Sequence, residues 1–263
     1  MRFQILFSLP QRDKFLPVDY QYYISSWIYK RIGEANQEFA QFLHNEGYGE
    51  GNRKFKFFNF SPLNLKPYQA HWDRGVFELL GHEISLTVSF YLPEIAEPFV
   101  KGLFMNNEIF IGDRINSVQL KVKEIRILAT PDFKEIMSYR LISPCCITRP
   151  KRDGEAHGQY LPPEDPEFIP RLIENLKTKF ETAQHVPSYV GDSNGGEMDI
   201  DIQTLGRKPK SKLIKVKALT KEATDVRGWL FDCKVTAPVE VHEFIWNVGL
   251  GEKGSMGFGM VEN

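Results

Sequence analysis

Extended and helical patterns follow one another twice along the chain in the order β-α-β-β-α-β, and a glycine-dense tail ends it. This predicts an α+β fold of two tandem ferredoxin-like (RRM-like) βαββαβ domains with a C-terminal glycine-rich loop. The 263 residues suffice for two domains of ordinary size. Hydrophobic residues make up 42% and charged residues 25%, a balance that supports a buried core and excludes disorder as the main state. The boundary is placed near Pro131, giving domains over 1–130 and 131–263.

Arg2 to Leu9 alternate and then run apolar, as a strand does. Pro17 and Asp19 open a helix whose apolar stripe is Ile24, Trp27, Ile28 and Ile32. A break at Gly33 leads to a second helix over about 36–44, with Phe39, Phe42 and Leu43 on one face and Gly47 as its stop. A glycine-rich turn, GYGEGN, precedes a strand over 54–61, and extended runs follow over 76–80 and 83–91. Pro93 starts a helix through about Met105, striped by Ile95, Phe99, Val100 and Leu103. A strand over 118–129 completes the first set. In the second set a strand spans 137–148, a polar, proline-rich connection 150–166 and a helix 168–184. Strands over 197–205, 213–218 and 229–236 precede a helix over 239–248 and a short last strand within 256–262. This half carries one strand more than the pattern needs, and the two halves share element order without a visible sequence repeat.

Lys plus Arg number 33 against 34 Asp plus Glu, a net charge of -1. That excludes a globally basic nucleic-acid binder and leaves room for a locally basic face. No apolar run approaches the ~18–20 residues of a membrane span. The start, MRFQILFSLPQR, reads as a strand without signal-peptide anatomy. A cytoplasmic protein with no membrane partner is expected. Cys145, Cys146 and Cys233 form no CxxC spacing and are odd in number, so they read as small core residues in a reducing compartment.

The tail VGLGEKGSMGFGMVE, residues 248–262, is the most informative segment. Gly249, Gly251 and Gly254 satisfy GxGxxG, but a dinucleotide fingerprint must follow a strand and open a helix, and this run follows a helix. Two readings remain: a loop that needs positive φ, or a loop whose backbone N–H groups meet an anion with Lys253 adding charge. Residues 207–217, RKPKSKLIKVK, hold six basic residues and no acid. Lys215 and Lys217 share a strand face, read either as a solvated face or as a phosphate-tracking one. His44 points away from the apolar stripe of its helix, and Tyr29 lies off the Ile24/Ile28 stripe beside Ser25 and Tyr22. Lys54 and Lys56 share a strand face among Phe55, Phe57, Phe58 and Phe60. Those aromatics read as core, because the glycine-containing motif of an RNA-recognition sheet is missing. Asp192, Glu197, Asp199 and Asp201 read as a solvated edge, since no histidine lies near and no metal-loop spacing matches. Neither Cys145 nor Cys146 has an identifiable base for nucleophilic work.

Four stretches together resemble the Cas6 family of CRISPR-repeat endoribonucleases over nearly the whole chain: YQYYISSWIYKRI (20–32), FLHNEGY with KFFNFS (42–48 and 56–61), LPEIAEPFVKGLFMN (92–106) and the glycine tail. The resemblance implies two tandem ferredoxin-like domains and a metal-independent cut needing no cofactor. In that reaction the ribose 2′-OH attacks the neighbouring phosphate and the 5′-oxygen leaves, giving 2′,3′-cyclic phosphate and 5′-OH ends. Such chemistry needs a base, an acid and a cation near the developing charge. Carried over by motif, the candidates are Tyr29 in WIYKRI, His44 in FLHNEG and Lys56 before FFNFS, with Lys54 as the alternative cation. Histidine suits proton transfer near neutrality, as base or acid; tyrosine, with an ordinary pKa of ~10, must be perturbed or must position the ribose. RNA contacts are expected from Lys54, Arg207, Lys215, Lys217, Arg227, Gly251, Lys253 and Gly257, across a basic cleft and with salt-sensitive binding. The implied partners are CRISPR repeat RNA (pre-crRNA) and subunits of a CRISPR effector complex, with the chain a monomer or homodimer. The competing readings are a repeat-RNA-binding scaffold subunit without useful catalysis and a ferredoxin-like interaction module with no RNA role.

Overall fold

A computed structural model describes residues 1–10, 14–51, 53–152, 158–189, 191, 198–218 and 220–263, the side chain of Arg207 excepted. The first half runs β1 (Arg2–Ser8), β2 (Phe15–Pro17), α1 (Gln21–Ala35), α2 (Gln37–Asn45), β3 (Phe58–Phe60), β4 (Tyr68–His71), β5 (Val76–Leu79), β6 (Glu83–Phe90), α3 (Pro93–Met105), β7 (Glu108–Gly112) and β8 (Ser117–Ile127). The second half runs β9 (Ile136–Leu141), β10 (Thr148–Arg149), β11 (Gln159–Tyr160), α4 (Phe168–Gln184), β12 (Asp201–Val216), β13 (Thr224–Thr236), α5 (Val239–Val248), a 3-10 turn at Gly254–Met256 and β14 (Val261–Glu262).

The main sheet of the first half has the order β3-β6-β1-β8-β7, and that of the second half β12-β13-β9-β14. In both, the first core strand lies between the third and fourth and the second lies beyond the third, with antiparallel neighbours throughout. That is the ferredoxin-like order twice, with β7 added as an edge. Alternation along β1 buries Phe3, Ile5 and Phe7 beneath the helices, where Trp27 of α1 sits 5.8 Å from the Phe7 ring and 5.6 Å from that of Phe99 on α3. At the α1–α3 crossing, a Cβ on Gly102 would land on the Arg31 carbonyl, so only glycine permits this approach.

Helices α3, α4 and α5 occupy the predicted ranges. The break between the first two helices differs: α1 runs through Gly33 to Ala35, and Asn36 makes the break, its Oδ1 accepting from Phe39 N at 3.0 Å. The strand expected from Lys54 shrinks to β3, because Phe55 pairs with Tyr48 across the glycine turn and Phe57 then takes a positive φ of 48°. The strand expected over 137–148 ends at Leu141, with Cys145 bridging to Trp229. The two strands expected around the basic run are one, β12, whose register on β13 shifts between Leu205 and Lys210. β5 occupies the extended run expected over 76–80, but its partners β2 and β4, too short to show a period, and the edge β7 were not expected.

A polar lock joins the two sheets inside the larger apolar cluster, which spans both halves, beside a smaller one of Cys146, Ile214, Val216, Val226 and Phe258. The buried Asn59 of β3 donates through Nδ2 to the carbonyls of Val248 at 3.0 Å and Phe258 at 2.8 Å. Ser89 Oγ donates to Asn247 O at 2.7 Å. Arg2 donates to Val261 O at 2.9 Å and lies over the Trp246 ring, 3.5 Å from its centroid.

Candidate active site

Helix periodicity that buries Ile24, Ile28 and Ile32 turns Tyr29 of α1 toward the end of α2. There its ring meets that of the exposed His44 edge to face, centroids 5.0 Å apart, and Phe58 supports it at 5.4 Å. Lys56, on the segment entering β3, donates from Nζ to the His44 carbonyl at 2.9 Å. A glycine makes that reach possible: a Cβ on Gly47 would sit 2.7 Å from Lys56 Nζ and 2.6 Å from the Phe55 carbonyl. Lys54 turns instead to the Gly49 carbonyl at 2.9 Å, so the geometry distinguishes two lysines the spacing could not. Partial burial and the neighbouring Lys54 ammonium pull Lys56 down to about 8. Burial pushes the Tyr29 phenol up to about 12, with Ser255 acting against the shift through a hydrogen bond. His44 Nδ1 lies 2.9 Å from Asn45 Oδ1.

The glycine tail reaches the same place. Ser25 Oγ donates to the Ser255 carbonyl at 2.7 Å, so Ser255 holds α1, the helix that bears Tyr29. Sequence reasoning missed Ser255, and no local pattern could have found it, because its partners lie more than two hundred positions away. Gly251 and Gly257 have packing reasons for lacking a side chain: a Cβ on Gly251 would lie 2.6 Å from Cys145 Sγ, and one on Gly257 would strike the Phe60 ring. Many of the loop's amides are taken within the chain, Glu252 N by Cys146 O and Gly259 N by Pro144 O among them. Lys253, with φ 60°, lines the neighbouring cleft.

That cleft, about 670 Å³ between the two halves, is lined by Arg53, Lys54, Lys56, Arg171, Lys179 and Lys253 against two acids, Glu174 and Glu252. Glu174 pairs with Arg53 at 2.7 Å, and Glu252, held by Thr148 N at 2.8 Å and Thr148 Oγ1 at 2.9 Å, is outnumbered by the remaining cations, so the field is positive. Lys179 is fully buried, donates to the Gly251 carbonyl at 2.6 Å and is lowered to about 8 by desolvation. It was readable as an oddity, a lysine on the apolar stripe of Leu172, Leu176 and Phe180. Lys215 of β12 pairs with Asp225 at 2.9 Å, and Lys217, expected on the same strand face, lies just past the strand end with a φ of 53° and pairs with Glu222, so both are already countered. Arg227 of β13 donates to Ser211 Oγ at 2.8 Å. The side chain of Arg207, and Asp192 and Glu197 of the acidic run, lie outside the described residues; Asp199 and Asp201 are exposed. The three cysteines are buried free thiols, with Cys145 pushed well above the usual thiol range and Cys146 and Cys233 to about 12 by desolvation. Among the described residues no helix is long and apolar enough to cross a membrane.

Two ferredoxin-like sheets, clasped by a glycine loop beside a basic cleft, define the structural class, and comparison with known proteins gives the family. The model described as CRISPR-associated protein Cas6, N-terminal, matches residues 15–126, and that described as CRISPR associated protein Cas6, C-terminal, matches residues 128–263. The chain belongs to the Cas6 family. A CRISPR-associated endoribonuclease Cas6 of Methanocaldococcus jannaschii is 30% identical over 256 residues, covering 96% of this chain and 90% of its own. One of Pyrococcus furiosus is 28% identical over 270 residues, covering 100% and 89%. The solved structure of a Cas6-related protein of Pyrococcus furiosus superposes with a TM-score of 0.80 at 25% identity, covering 100% of this chain and 97% of its own.

Proposed function

We propose that the chain is a metal-independent endoribonuclease that cleaves CRISPR repeat RNA. The observation that carries this reading is the convergence of three side chains from separate elements: the Tyr29 and His44 rings 5.0 Å apart, and the Lys56 ammonium 2.9 Å from the His44 carbonyl, beside a basic cleft. The named activity of the relatives from Methanocaldococcus jannaschii and Pyrococcus furiosus supports it. In the reaction the 2′-oxygen forms a bond to phosphorus as its proton passes to a base. The P–O5′ bond breaks, and the departing oxygen takes a proton from an acid. His44 is the general acid/base, Lys56 offsets the charge growing on the phosphoryl oxygens, and Tyr29, too weakly acidic at about 12 to be a ready base, positions the ribose. Residues 1–130 carry this chemistry, and residues 131–263 bind RNA through Lys253 and the exposed β12 lysines that no described carboxylate meets, Lys208, Lys210 and Lys212.

The test uses a CRISPR repeat RNA from the source genome in excess EDTA, beside a copy with one 2′-deoxy residue at the cut site. The first is cut and the second is bound uncut. Binding with neither copy cut would favour a scaffold subunit instead.

The Lys56 role also fixes a pH dependence. The side chain is cationic below about 8 and loses its charge as pH rises through that value. Single-turnover cleavage therefore declines on the alkaline side above about 8, and Lys56→Arg, cationic throughout, extends that limb. A rate in the parent that climbs through the same range would make Lys56 a base and reverse the assignment.

A further inference from the structure

The sheet β2-β5-β4 lies outside both ferredoxin-like sheets, and β4 with the β4–β5 turn presents two uncovered aromatic rings. Trp72 is 74% exposed and Tyr68 42%. Both rings lean on Phe77, Trp72 at 5.9 Å and Tyr68 at 5.1 Å between centroids, and Phe77 is backed in turn by the buried Tyr20 at 6.5 Å. The two rings are thus braced from beneath with much of their surface in water. An indole left this open loses the burial that usually offsets its apolar surface, which points to something that covers it.

Charge says what. Lys66 and Arg74 flank the pair, are exposed, and have no acidic partner among the described residues. Of the nearby acids, Glu78 is engaged by His71 at 2.9 Å and the half-buried Asp19 accepts from a backbone amide of β12, which leaves Asp73 as the exposed acid beside the two cations. The turn also adjoins the lysine-rich strand. Lys215 N donates to Asp19 Oδ1 at 3.0 Å, and Val18 N, one residue back, donates to the Gly75 carbonyl at 3.0 Å. Two hydrogen bonds therefore connect β12 to the end of the turn that bears Trp72. Open aromatic faces beside the exposed cations Lys66 and Arg74 make a surface for single-stranded nucleic acid, in which bases stack and phosphates meet lysine and arginine.

We propose that Trp72, with Tyr68 beside it, is a stacking platform for an unpaired base of the bound RNA, placed where a strand following β12 passes the β4–β5 turn. This rests on the repeat-RNA reading above. Stacking of this kind tolerates any base, so the platform adds affinity and register without sequence preference.

The test measures affinity of the full chain for repeat RNA blocked by a 2′-deoxy residue at the cut site. Trp72→Ala weakens binding about fivefold to a hundredfold, and Trp72→Tyr recovers most of it. The slope of log affinity against log salt stays unchanged in both, because no phosphate contact is lost. Abasic replacement along the RNA finds one position that costs the parent affinity and costs Trp72→Ala nothing further. An unchanged unfolding midpoint shows that the loss is not misfolding. If Trp72→Ala binds like a parent that still binds and cuts, the platform is wrong, the nuclease reading stands, and the aromatic turn is left to a protein ligand. If the parent neither binds nor cuts repeat RNA, both fall.

Discussion

His44→Ala abolishes useful cleavage and leaves RNA binding intact. The rate at saturating repeat RNA falls by ~10²–10⁴, the contribution of a positioned acid/base, while affinity stays within about twofold. The structure makes this substitution unusually clean. His44 is exposed, so no core is opened, and its ring contact is with Tyr29. Lys56 is anchored to the His44 main-chain carbonyl, which alanine keeps, so the ammonium stays where it was. The experiment therefore removes the imidazole and little else. Equal cleavage by parent and variant would remove His44 from the chemistry; equal loss of binding and cleavage would make it a ligand for RNA.

Gly259→Ala produces the largest loss of stability among the glycine substitutions of the tail, roughly 3 kcal/mol or more. Gly259 has a φ of 75°, which costs a residue with a side chain ~1–2 kcal/mol, and its Cβ would land on the Leu250 carbonyl, adding an overpacking cost of ~1–3 kcal/mol. The struck atom is backbone, and both residues are fixed in place, Leu250 N donating to the Gly259 carbonyl at 2.8 Å and Gly259 N to the Pro144 carbonyl at 2.9 Å. Gly51→Ala is the control: its φ is 56°, but nothing lies within 4 Å of the new Cβ, so it loses only ~1–2 kcal/mol. Urea unfolding of the two variants compares them. Equal losses would mean that dihedral strain alone explains the tail's glycines and that the close packing plays no part.

These outcomes separate what was legible from what was not. Helices α4 and α5 were readable to the residue because periodicity and flanking prolines are local signals. Tyr29 and His44 were legible as polar side chains off the apolar stripes of their helices, but their choice as candidates, with Lys56, came from the resemblance of their motifs to the family. Their meeting was not, since it depends on Gly47 letting Lys56 fold back to the end of α2. The lysines of the basic run show the opposite gap: their density was plain, but the carboxylates facing Lys215 on β12 and Lys217 just past its end come from β13 and the turn before it, whose register no local pattern states.

The sequence by itself determined the order of the elements, the double ferredoxin-like pattern and the identity of the polar side chains left off its apolar faces. Each is a property of a window of a few residues, where periodicity, capping and turn chemistry act. Only the tertiary structure decided why the tail is rich in glycine, which lysine stands beside His44, and that Ser255 holds the helix bearing Tyr29. Those depend on backbones brought within van der Waals contact across separations such as that of Ser25 and Ser255, 230 positions apart. A distance of that kind is set by the packing of a core that spans both halves and is written in no single segment of the chain.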